Sequence, residues 1–107
     1  MAVVEILYFA GCPAYRRARE HAVSAMEAAG HPGDLKMVRV RHARDAQDLD
    51  FHGSPTVRVG GRDIDPEGLA RSPAVGLYSR PYRWNGKDFD APPVEMIREA
   101  LRRNAAP

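Results

Sequence analysis

Residues 3–9, Val-Val-Glu-Ile-Leu-Tyr-Phe, are apolar at every position except Glu5, and β-branched or aromatic side chains dominate them. A run of this kind has almost no polar face to offer to water, so it reads as a strand buried on both sides in the middle of a sheet. It stops at Gly11 and is followed by a different periodicity. Between residues 13 and 29, Tyr15, Ala18, Ala22, Ala25, Met26 and Ala29 recur at spacings of three and four, with Arg16, Arg17, Arg19, Glu20, Ser24 and Glu27 on the other side. That is an amphipathic helix of about four to five turns, ended by Gly30 and by Pro32 with Gly33.

The rest of the chain alternates in the same way. Residues 36–41 place Val38 and Val40 on one face and Arg39 and Arg41 on the other, as in a half-buried edge strand. Residues 44–51 have helical composition, with Ala46, Leu49 and Phe51 inward. Gly53-Ser54-Pro55 breaks the chain before a strand at 56–59. Gly60-Gly61 then turns it into a return strand at 62–65, giving a β-hairpin. Residues 66–81 show no period and read as a loop that packs down locally through Leu69, Val75, Leu77 and Tyr78. Asn85-Gly86 between residues 82–84 and 87–89 signals a second, appended hairpin, with Trp84 and nearby tyrosines closing a small satellite core. Pro92-Pro93 opens a last helix with Val94, Ile97 and Leu101 inward.

The order is therefore strand, helix, strand, helix, strand, strand, helix. The first three elements demand a right-handed parallel crossover, and the hairpin completes a mixed four-stranded sheet with helices on both faces. At 107 residues this is one domain. No stretch is apolar enough to cross a membrane, and residues 1–9 carry Glu5 and lack a basic start, so they read as a strand and not as a signal peptide. The net charge of +2 comes from arginines scattered through every segment, which argues against nucleic-acid binding, where basic residues gather on one face. A single cysteine cannot build a disulfide framework and fits a reducing cytoplasm.

That cysteine is the focus of the chemistry. In Tyr8-Phe9-Ala10-Gly11-Cys12-Pro13-Ala14-Tyr15 the buried strand ends and delivers Cys12 to the start of the helix, with Pro13 suited to the first helical position. Unpaired amides and the helix dipole favour a thiolate there. Arg16 and Arg17 would raise the local potential and draw in an anionic substrate, or else form a solvated face with Glu20. Tyr15, three residues on, is expected over the same face as Cys12, limiting access to it. His52 could reach Cys12 as a proton carrier. His21, His31 and His42 have no metal-ligand spacing with each other or with Cys12, so no metal site is expected.

The strand, Gly-Cys-Pro turn and helix resemble the active-site turn of the thioredoxin superfamily, and the element order is that of its minimal fold, a three-layer α/β/α arrangement; only about residues 66–90 lie outside it. The superfamily carries Cys-x-x-Cys, whereas the second position here is Tyr15, so no disulfide closes within the motif. The resemblance also implies a cis-proline ahead of the third strand, beside the cysteine. Gly53-Ser54-Pro55-Thr56 stands in that place, although from the residues alone Pro55 reads as an ordinary trans residue at a strand start. More closely, the chain looks like small bacterial thioredoxin-like proteins with Gly-Cys-Pro and Gly-Ser-Pro-Thr, some named in association with organomercurial lyase. That lyase chemistry needs paired cysteines.

What the resemblance implies is a monothiol oxidoreductase. Cys12 attacks a disulfide, a peroxide or a glutathione adduct, and Ser54, Pro55 and Thr56 dock the substrate through their backbone beside Pro13, Tyr15, Arg16 and Arg17. No resident cofactor is expected. Glutathione serves as co-substrate or a protein thiol as partner, and a homodimer is allowed. Two alternatives stand beside this reading. One is a thioredoxin fold without redox turnover that serves as a binding or assembly module. The other is capture of a soft metal ion, mercury or copper, by Cys12 with a second ligand from a partner.

Overall fold

The structure is a computed structural model and describes residues 3–30 and 34–105; His31, Pro32 and Gly33, taken above with the end of the first helix, lie outside them. In chain order the elements are β1 (Val4–Tyr8), α1 (Tyr15–Ala28), β2 (Leu35–Arg39), α2 (Ala43–Asp48), β3 (His52–Ser54), β4 (Thr56–Val59), β5 (Arg62–Asp63), α3 (Pro66–Arg71), β6 (Gly76–Ser79), β7 (Tyr82–Trp84), β8 (Lys87–Phe89) and α4 (Val94–Ala105). The fold is mixed α/β. Its main sheet has the order β2-β1-β4-β5, with β1 parallel to β2 and antiparallel to β4, and with β4 antiparallel to β5.

The apolar run takes an inner position, as its composition demands. Ile6 lies between Met37 of β2 and Val57 of β4. Val4 and Ile6 point to the side where α1 and α4 pack, and Ala18, Ala22, Ala25, Met26, Ile97 and Leu101 close that core. The three alanines leave α1 a nearly flat face, so the larger side chains of α4 can settle against it. Leu7 points the other way, into a second cluster with Val40, Ala46 and Phe51 that brings α2 onto the opposite face. The alternation at 36–41 thus has a purpose on both sides. Val38 and Val40 serve the α2 cluster, whereas Leu35 and Met37 pack on the first core.

Several expectations change in detail. Helix α1 begins at Tyr15 and not at Pro13. The Cys12 amide is taken by the Phe9 carbonyl at 3.1 Å in a turn, and the first helical bond runs from the Ala18 amide to the Ala14 carbonyl at 3.0 Å. The return strand is only two residues long. Residues 66–81 are not a structureless loop. Pro66 opens α3, whose Gly68 amide donates to the Asp65 carboxylate at 2.9 Å as a cap. Segment 76–79 then forms β6, parallel to β3, fastened by the Gly76 amide on the Phe51 carbonyl at 3.0 Å and the Arg80 amide on the Ser54 carbonyl at 2.9 Å. The hairpin β7-β8 turns at Asn85 and Gly86, both at positive φ (51° and 76°), as an Asn-Gly turn requires. Tyr82 and Trp84 join the main core and do not form a satellite one.

Candidate functional site

Cys12 lies between β1 and α1, two residues ahead of the Ala14 cap, and only 1% of it is exposed. Helix α1 has neither a side-chain cap nor an acidic residue in its first turn, so its leading amides are left to solvent or a ligand. The thiol donates to the carbonyl of Ser54 at 3.5 Å. Ser54 precedes Pro55, and the bond between them is cis. Cys12 is among the residues that line a pocket of about 450 Å³, within the range of small-molecule sites. Pro13 and Ser54 line it too, together with a wall from Arg80 and Pro81 and the carboxylate residues Asp88 and Asp90. The segment beyond the hairpin β4-β5 therefore covers the cysteine.

That wall is held by one buried cation. The Arg80 side chain is fully buried, an expensive place for a charge unless it is paired. Its Nη1 and Nη2 donate to the two carboxylate oxygens of Asp63 at 2.6 and 2.7 Å, and Nη2 also donates to the Asp65 carbonyl at 3.0 Å. Burial works against the Arg80 charge, but the hydrogen bonds and charge of Asp63 outweigh it and hold its pKa above the ordinary value. The guanidinium lies 4.7 Å from the ring centre of Tyr82. Tyr82 is itself wholly buried. Its hydroxyl donates to the Pro55 carbonyl at 2.6 Å and accepts from the Val57 amide at 3.3 Å, which ties the hairpin β7-β8 to the turn beneath Cys12. Burial pushes this hydroxyl above the usual tyrosine range, opposed by the Arg80 charge.

Of the residues singled out from sequence, Cys12, Pro13, Ser54, Pro55 and Thr56 come together. Thr56 is buried and donates from Oγ1 to the Gly53 carbonyl at 2.6 Å, closing the turn from within. The backbone edge expected to dock a substrate is already in use, since the Ser54 carbonyl accepts both the thiol and the Arg80 amide. Tyr15 is not over the thiol; its ring stacks on Tyr8 with centres 4.3 Å apart. Arg16 turns toward Tyr15, its Nε donating to the Tyr15 hydroxyl at 3.4 Å. Arg17 clamps Asp90 at 2.6 and 2.8 Å instead of pairing with Glu20. Neither arginine lines the pocket. His52 is likewise directed elsewhere, with Nδ1 at 3.0 Å from the Ser72 carbonyl and Nε2 at 3.0 Å from Asp50.

Sequence reasoning missed Arg80, Tyr82, Asp88 and Asp90. The Asn-Gly turn marks the hairpin that carries Tyr82 and Asp88 and ends just before Asp90, but nothing local marks Arg80 as buried. Among the described residues no group of three or more His, Cys, Asp and Glu side chains is arranged to hold a metal ion. No helix among them is long and apolar enough to cross a membrane. No family model, curated protein or solved structure matches the chain.

Proposed function

We propose that this chain is a thioredoxin-like protein that acts through Cys12 as a monothiol in thiol–disulfide exchange. The order β2-β1-β4-β5, with a parallel crossover through α1 and an antiparallel hairpin followed by α4, supports the resemblance. The observation that carries the reading is the placement of Cys12, its sulfur 3.5 Å from the Ser54 carbonyl at the Ser54-Pro55 turn and the residue on the lining of a pocket of about 450 Å³. A thiol that served only as packing would not need a pocket beside it.

The chemistry follows from there being one thiol. The Cys12 thiolate attacks one sulfur of a small disulfide, the disulfide bond breaks, and a mixed disulfide forms on Cys12 while the other half leaves as a thiolate and takes up a proton. A second small thiol then attacks the mixed disulfide and returns Cys12 to its reduced form. Glutathione is the thiol the resemblance implies for that step. Extended polypeptide is a poor fit for this site, because the Arg80 amide already occupies the Ser54 carbonyl.

Acceleration of hydroxyethyl disulfide reduction by dithiothreitol tests the reading with two uncharged reagents. The protein should speed the reaction, and Cys12→Ser should return it to the uncatalysed rate. The near-complete burial of Cys12 favours a second reading, a binding module whose thiol is structural. That reading gains if the folded protein gives no acceleration and Cys12→Ser melts at a changed temperature with no other loss.

A further inference from the structure

We infer that the Cys12 pocket takes low-molecular-weight disulfides and thiols whose head group is cationic or neutral, such as those of aminothiols, and disfavours anionic ones, glutathione included. This rests on the monothiol reading and narrows it to a substrate class. Three charged residues line the pocket, Arg80, Asp88 and Asp90. The Arg80 guanidinium is fully buried and paired through Nη1 and Nη2 with both oxygens of Asp63, so its charge is already matched inside the protein. The two carboxylates differ. Each is 62% exposed, and each is paired with an arginine, Arg17 or Arg83, that does not line the pocket. A ligand inside thus meets the carboxylate of each pair on the lining, while the partner arginine lies outside it. Glutathione, with two carboxylates and one ammonium, presents the wrong sign.

Two polar groups on the lining residues are buried without a partner. The Ser54 hydroxyl is on a residue only 1% exposed and has no hydrogen-bond partner, and the buried Nε of Arg80 has none either. Both residues line the pocket. Apart from Ser79, the remaining lining, from Pro13, Ala14, Pro81 and Phe89, is apolar and suits the methylenes between sulfur and head group. The exchange itself is unchanged. Cys12 gains the transferred thiol as a mixed disulfide, the other half leaves as a thiol, and a second aminothiol takes the group off again as a disulfide.

Two methanethiosulfonates of similar size test this, one bearing a trimethylammonium and the other a sulfonate, with modification of Cys12 followed by intact mass. Rates on the folded protein are divided by rates on the urea-unfolded chain, which removes the intrinsic difference between reagents. The corrected ratio should favour the cation by about threefold or more at low salt and fall toward one as salt is added. Asp90→Asn and Asp88→Asn, both at exposed positions, should each lower it. A ratio at or below one, or a preference that neither variant changes, overturns the charge selection while leaving the monothiol reading intact. Failure of both reagents to modify the folded protein overturns the two together.

Discussion

Removing the Tyr82 hydroxyl leaves the Pro55 carbonyl and the Val57 amide buried with no side-chain partner. Tyr82→Phe should therefore cost about 1–3 kcal/mol in a urea titration, with little change in packing. The pH dependence has a definite sign. Burial raises the hydroxyl's pKa in the folded state, so the fold holds the protonated form. Its contribution is complete below the unfolded tyrosine's value of about 10 and is lost as pH rises from there toward the folded value. The stability gap between the native chain and Tyr82→Phe should be flat through neutral pH and close above pH ~10. Asp63→Ala makes a sharper case. It leaves the Arg80 guanidinium buried without its counter-ion and should cost about 3–5 kcal/mol, whereas Arg83→Ala, which opens an exposed pair with Asp88, should leave the melting temperature nearly unchanged. Differential melting of the two variants checks the contrast. At this scale Cys12 and the Ser54-Pro55 turn could be found from sequence because each interrupts a strong pattern. Arg80 could not, since its burial depends on Asp63 and Tyr82, and no local period encodes a pairing across seventeen positions.

Strand β6 decides how the site is covered. It lies against β3 where Gly53 has φ +96°, and a Cβ on Gly53 would fall 2.8 Å from the Cβ of Arg80 and 2.9 Å from the Tyr78 ring. Gly53→Ala combines an unfavourable backbone with two clashes, so it should destabilise the protein by more than about 1 kcal/mol and loosen β6 from β3. Cys12 should then react faster with a neutral alkylating reagent. Equal rates in the variant and the native chain would mean that β6 does not govern access. The long, strongly periodic elements could be read from sequence, and so could both hairpins through their glycines. Strands β3 and β6 could not. They are short, their partners lie more than twenty residues apart, and neither alternates long enough to display a face. Helix α3 does carry a signal in the sequence, because Asp65-Pro66-Glu67 is a helix start with a cap, a proline at the first position and an acid in the first turn.

The radius of gyration, 12.7 Å, is that of one compact unit of this length. Within it the site is assembled from three distant parts of the chain, Cys12 from the first crossover, Ser54 from the turn before β4, and the wall from Arg80 to Asp90 beyond the hairpin. None of these neighbours survives unfolding, so any reactivity that belongs to the site must differ between the folded and unfolded chain. The measurement that addresses this most directly is the rate at which iodoacetamide alkylates Cys12 at neutral pH, followed by intact mass on the folded protein and on the same chain in urea, with Cys12→Ser as the blank. A thiol placed for chemistry should react in the folded protein at least as fast as in the unfolded chain. If Cys12 stays unmodified until the protein unfolds, the sulfur is part of the core and the monothiol account is wrong.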